Sequence, residues 1–97
     1  MKLKWTTFAL QDIVQLHDYI AEDSPEAAQK TVSIIHDAAT QMLKKYPEAG
    51  RPGRCRGARE LILSRAPYII VYVIKGDEVQ IVSVIHTSMK WPDILPP

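Results

Sequence analysis

The chain has 97 residues, 46% hydrophobic and 24% charged, with a formal net charge of +1. That balance is the one expected of a single small folded domain, residues 1–97, and it excludes a disordered chain. No apolar run approaches the ~20 residues of a membrane-spanning helix.

The opening "MKLKWTTFAL" lacks the apolar core of a secretory signal, and the single Cys55 has no internal disulfide partner. Both features predict a cytoplasmic protein with no membrane partner. Charge is unevenly spread. Residues 6–43 hold Asp12, Asp18, Glu22, Asp23, Glu26 and Asp37 against Lys30 alone, whereas residues 44–97 hold nine Lys or Arg against five acids. The basic second half is a candidate surface for an anionic partner, either nucleic acid or an acidic peptide.

"KLKW" (residues 2–5) alternates polar and apolar and predicts a short first strand. Thr6 or Thr7 can cap the helix that follows, in which Ala9, Ile13, Leu16 and Ile20 form one apolar stripe and Asp12, Gln15, Asp18 and Glu22 the opposite face. In "EDSPEAA", Ser24 is a good N-cap, Pro25 fits the first turn and Glu26 complements the helix dipole. A second stripe runs through Ala28, Val32, Ile35, Ala39, Met42 and Tyr46 until Pro47 stops it. Two capped amphipathic helices on a tight turn predict a helical hairpin whose stripes are core.

"GRPGRCRGARE" (residues 50–60) has too many glycines for a helix and reads as a loop carrying Arg51, Arg54 and Arg56 into a strand that starts near Arg59. Three segments then follow, "RELILS", "YIIVYVI" and "EVQIVSVIH", each short and rich in β-branched and aromatic residues. Gly76-Asp77 predicts a tight hairpin between the last two. The order is β-α-α-β-β-β, an α+β fold with the helical hairpin packed on one face of a C-terminal antiparallel sheet. The other face is left open for function. The tail from about residue 89, with "KWPDILPP", is proline-rich and predicts irregular structure.

Chemistry-bearing residues are few. His17, His36 and His86 lie on three different elements and have no ligand spacing, so neither a metal nor a cofactor is implied. The glycines of residues 50–57 do not follow the phosphate-loop pattern. Arg54 and Arg56 would favour a thiolate at Cys55, but no base stands near it in sequence. The arginines could hold phosphates through bidentate hydrogen bonds or receive a partner's acidic side chains. Arg59 shares strand parity with Leu61, Leu63 and Arg65, which places Arg59 and Arg65 on one face. His86, ending the last strand with Lys90 and Trp91 just beyond, is either a general acid/base or a hydrogen-bonded structural histidine. Trp91 could stack on a base or plug the sheet.

The opening tryptophan strand, "YIAEDSPEAA", "YPEAGRPGRCRGARELIL" and "PYIIVYVIKGDEVQIVSVIHTSMKWP" together resemble the RelE/ParE superfamily of bacterial toxins from type II toxin–antitoxin modules. The resemblance covers nearly the whole chain, and its P-x-x-G-R, R-E-L and H-x-x-x-x-W-P features look closer to the ParE branch. It implies the same small α+β fold. It also implies one of two activities: poisoning of DNA gyrase (ParE-like), or metal-independent cleavage of mRNA on the ribosome (RelE-like). RelE-type relatives place phosphate-binding lysines where this chain has Glu60 and Ile62, and arginines where it has Ile69 and Thr87. Neither a glutamate nor an isoleucine can neutralise a phosphate, so the ParE-like activity is the expected one. The alternative nuclease would use His86 as acid/base with Arg59, Arg65 and Lys90 on phosphate. A third possibility is a member that only binds antitoxin. The implied partner is a cognate antitoxin, acidic and partly disordered. It would form a hetero-oligomer by engaging Arg51, Arg54, Arg56, Arg59, Arg65, Lys90 or Trp91, with the two-helix groove and the sheet edge as docking surfaces.

Overall fold

The computed structural model describes residues 1–88, in which two helices lie on one face of a five-stranded sheet. The first strand, β1 (Lys2–Trp5), alternates exposed lysines with half-buried Leu3 and Trp5. Thr6 then joins helix to sheet. Its hydroxyl accepts the Ala9 N–H, capping α1 (Thr7–Ala21), and donates to the Ile81 carbonyl at 2.7 Å. Ser24 caps α2 (Pro25–Ala38) in the same way by accepting the Ala27 N–H, with Pro25 in the first turn.

The second helix departs from the expected stripe at its end. α-Helical geometry stops at Ala38, and Ala39–Leu43 form a π-helical turn whose Lys44 N–H reaches back to the Ala39 carbonyl. A wider turn delays the inward-facing position by one residue. An unbroken α-helix would bury Met42 and Tyr46 after Ala39. Instead Leu43 is fully buried, while Met42 and Tyr46 are 41% and 60% exposed.

The remaining strands are β2 (Arg51–Pro52), β3 (Arg59–Ile62), β4 (Tyr68–Lys75) and β5 (Glu78–His86), in the spatial order β1-β5-β4-β3-β2. The meander pairs antiparallel, whereas β1 lies parallel to β5, so the sheet is mixed. The strand β2 is an addition to the expected order. It is two residues of the glycine–arginine loop, pairing with β3. Gly76, at φ 60, and Asp77 form the predicted two-residue hairpin between Lys75 and Glu78.

Strand β4 is central, and its run from Tyr68 to Tyr72 is buried on both faces, as a continuous apolar strand requires. Tyr68, Ile70 and Tyr72 face the helices, against Leu16, Ile35, Leu43, Ile81 and Val84. Burying a side chain of this size stabilises the fold by about 1.5–3 kcal/mol. On the far face, Ile69, Val71 and Ile85 form a second cluster closed by Cys55 and Ala58. The far face is therefore half covered by the arginine loop, because three large apolar side chains there need shelter from water. Among the described residues, no helix is long and apolar enough to cross a membrane.

Candidate functional site

The glycine–arginine loop is held by three side chains from the strands beneath it. Glu60 is 1% exposed; its Oε2 accepts the Arg54 N–H at 2.9 Å and its Oε1 pairs with Arg51 Nη2 at 3.2 Å. Arg59 Nη1 donates to the Gly50 carbonyl at 2.8 Å. The buried Tyr72 hydroxyl accepts the Gly50 N–H at 2.8 Å and donates to the Pro47 carbonyl at 2.7 Å. Burial pushes the Tyr72 phenol above its ordinary range, against the opposing pull of the Gly50 N–H and Arg59. A Cβ on Gly50 would stand 2.6 Å from that hydroxyl, so only glycine fits. Gly57, at φ 82, makes the turn at the loop's far end. The loop is thus a pinned platform that presents Arg51, Arg54 and Arg56 outward.

The positions where RelE-type relatives carry cations sit on or beside this platform's face of the sheet. Glu60 is locked under the loop, Ile69 is buried and Ile62 is 48% exposed. Thr87 is exposed beyond β5, its N–H bound to the Pro67 carbonyl. None of the four can neutralise a phosphate.

His86 lies elsewhere. It pairs with Tyr68, and the two rings meet edge to face with centroids 5.3 Å apart. Both line an open cleft of about 550 Å³ between α1 and the end of β5, together with Asp12, Gln15 and Tyr19. The Ser88 N–H donates to His86 Nδ1 at 3.1 Å, and the Ser88 hydroxyl lies 2.8 Å from the same nitrogen. An Nδ1 that accepts must carry a lone pair, so this network assigns the ring proton to Nε2. In that tautomer the ring's free lone pair is already engaged, which suits a donor rather than a general base.

The arginines expected to accompany His86 do not gather around it. Arg65 follows the end of β3 and lines a separate hollow with Asp37, Gln41 and Met42 of the second helical segment. Arg59 pairs with Tyr72, four residues along β4 from the Tyr68–His86 pair. That separation is roughly 13 Å at the usual strand rise. Lys90 and Trp91 lie outside the described residues. His17 and His36 border the α1–α2 groove, each beside its own aspartate, Asp18 and Asp37. Among the described residues, no three His, Cys, Asp or Glu come together as a metal-binding group.

Sequence reasoning missed Asp12, placed there on the solvent face of α1. It sits at a helix–sheet junction. Its Oδ2 accepts the Ser83 hydroxyl at 2.7 Å and the Val84 N–H at 3.0 Å. The pairing of β1 with β5 ends at Ile81, and Asp12 takes up a donor of β5 beyond that point. The signal was in the spacing: Asp12 is three residues after Ala9 and four before Leu16, both buried, so it borders the apolar stripe.

Comparison with known proteins bears on both regions. The profile of the family described as ParE toxin of type II toxin-antitoxin system, parDE, matches residues 3–91. A Sinorhizobium fredii protein named "Putative toxin Y4kP" is 42% identical over 94 residues, covering 97% of this chain and 96% of that protein. Toxin RelE2 of Caulobacter vibrioides is 38% identical over 84 residues, 87% of this chain and 92% of that toxin. Among solved structures, a chain of the chromosomal ParDE toxin–antitoxin system from P. aeruginosa superposes with TM-score 0.81 at 35% identity, over 89% of this chain and 95% of that one. A chain of the RelBE2 toxin–antitoxin complex from Mycobacterium tuberculosis superposes with TM-score 0.64 at 23% identity, over 88% of each, and shares the fold.

Proposed function

Because this chain belongs to the ParE toxin family of type II toxin–antitoxin systems, we propose that residues 1–97 act as one toxin domain that poisons DNA gyrase and is silenced by a cognate antitoxin. The observation that carries the choice of target is Glu60. At a position where nuclease relatives place a phosphate-binding lysine, this chain has a carboxylate fully enclosed and committed to Arg51 and the Arg54 N–H. A carboxylate there repels a phosphodiester, and moving it would release the loop. The separation of His86 from Arg59 and Arg65 further supports a non-nucleolytic activity.

An acidic, partly disordered antitoxin segment suits the surface that carries Arg51, Arg54 and Arg56, because guanidinium groups donate charge-assisted hydrogen bonds to carboxylates. The ParDE and RelBE2 neighbours come from systems of toxin with antitoxin, which supports a hetero-oligomer here too. The test adds purified chain to gyrase, ATP and supercoiled DNA, then denatures the enzyme and looks for linear DNA. We expect cleaved DNA to accumulate with toxin and to vanish when the cognate antitoxin is added. Intact DNA at saturating toxin overturns the reading. The similarity to RelE2 favours one second reading, cleavage of mRNA in the ribosomal A site. Programmed ribosomes with mapped 3′ ends would show it.

A further inference from the structure

We propose that the cleft between α1 and the end of β5 is a receptor for an arginine side chain presented by a partner polypeptide. Three aromatic rings, Tyr19, Tyr68 and His86, line it together with the Asp12 carboxylate and the Gln15 amide. Among the described residues no Lys or Arg lines it, and Asp12 gives it a negative charge, which disfavours an anion. Rings and a carboxylate lining one space are the chemistry of cation recognition.

Two details point to an occupant. The first is Tyr68, which is 7% exposed and whose hydroxyl has no hydrogen-bond partner among the described residues. A phenol in that position ordinarily finds a partner. Burial, and then the nearby Tyr19, push its ionisation above the ordinary range, so it is a neutral hydroxyl able to accept a donated N–H. The second is Asp12, which spends Oδ2 on β5 and leaves Oδ1 without a partner among the described residues. Asp12, Tyr68 and Gln15, each with an oxygen able to accept a hydrogen bond, all line this one cleft.

The planar guanidinium has five donors and a face that stacks on rings, whereas an ammonium is a strongly hydrated point charge. The rings and acceptor-bearing side chains that line the cleft therefore favour arginine over lysine. The surrounding α1 surface adds Asp18 and Glu22, and residues 6–43 as a whole are acidic, which attracts a basic segment. An antitoxin meeting this chain would then read two opposite patches, with carboxylates for the Arg51–Arg56 loop and an arginine for this cleft. That the polypeptide is the antitoxin rests on the function proposed above; the arginine chemistry does not.

The test is an NMR titration of the isotopically labelled full chain with N-acetyl-arginine methylamide, the citrulline analogue and spermidine in parallel. We expect saturable shifts at Tyr68, Val84 and His86 with a Kd on the order of 1–10 mM, and at least about 10-fold weaker binding of the uncharged citrulline analogue. Tyr19→Ala removes an exposed ring without disturbing the fold and should weaken arginine binding by about 3–10-fold. Equal binding of arginine and citrulline analogues overturns the proposal, as does the absence of saturable shifts, or a Tyr19→Ala chain that binds as tightly. Spermidine binding more tightly than the arginine probe overturns the polypeptide source. Neither gyrase nor antitoxin enters the titration, so its failure is distinct from failure of the gyrase assay.

Discussion

Replacing Glu60 separates two physical accounts of the arginine loop. In one, the enclosed carboxylate anchors the loop and stabilises the fold. In the other, the desolvation it suffers outweighs its two contacts. The contacts can be weighed. The Arg51 side chain is 53% exposed, so solvent screens that half of the interaction to at most about 1 kcal/mol. The bond from the Arg54 N–H to Oε2, at 2.9 Å, is charge-assisted and contributes about 1.5–3 kcal/mol. Glu60→Ala loses both contacts and leaves a void, so the expected destabilisation is about 2–4 kcal/mol. Glu60→Gln keeps the volume and one acceptor for the Arg54 N–H, so its cost should be smaller, about 1–2 kcal/mol. Urea denaturation measures both, with the m-value unchanged, and hydrogen exchange should place the extra opening at residues 50–58. For a domain of this size, each kcal/mol corresponds to roughly 4–8 °C in Tm. A Glu60→Gln protein as stable as the parent, or more so, would refute the anchoring account and show that desolvation dominates.

Four further outcomes follow from the same packing. Tyr72→Phe should cost about 2–3 kcal/mol by chemical denaturation, because it strands the buried Gly50 N–H and the Pro47 carbonyl. Leu43→Ala should cost about 2–5 kcal/mol while Met42→Ala costs under about 1; equal effects would contradict the burial order set by the π-helical turn. Asp12→Asn should cost about 1–2 kcal/mol, since the amide keeps an acceptor but loses charge assistance to Ser83 and Val84. The raised phenols of Tyr68 and Tyr72 set a pH dependence. Both are neutral in either state below pH about 10; above it the unfolded chain releases the protons first, so stability is present below that pH and falls as pH climbs through the folded values. Tyr68→Phe should flatten that alkaline loss in thermal melts collected across the range.

Local rules placed most elements. Thr6, Ser24, Pro25 and Gly76-Asp77 act where they stand in the chain, because caps and turns are satisfied by neighbours a few residues away. The end of the second helix did not follow, because a π-helical turn there buries Leu43 where the spacing expected Met42. Likewise Tyr72 and Gly50 are 22 residues apart, and nothing in either neighbourhood marks the pair.

The amino-acid sequence by itself determined the β-α-α-β-β-β order, the amphipathic stripes, the acidic and basic halves and the motifs of the toxin superfamily, all of which are properties of short windows or sums. Only the tertiary structure decided that β1 pairs in parallel with β5, that Glu60 is sealed beneath its own arginines, and that His86 and Asp12 share a cleft while Arg59 and Arg65 stay apart. Those facts depend on which distant residues the sheet brings side by side. A buried carboxylate and a solvent-facing one look identical until the chain closes over one of them.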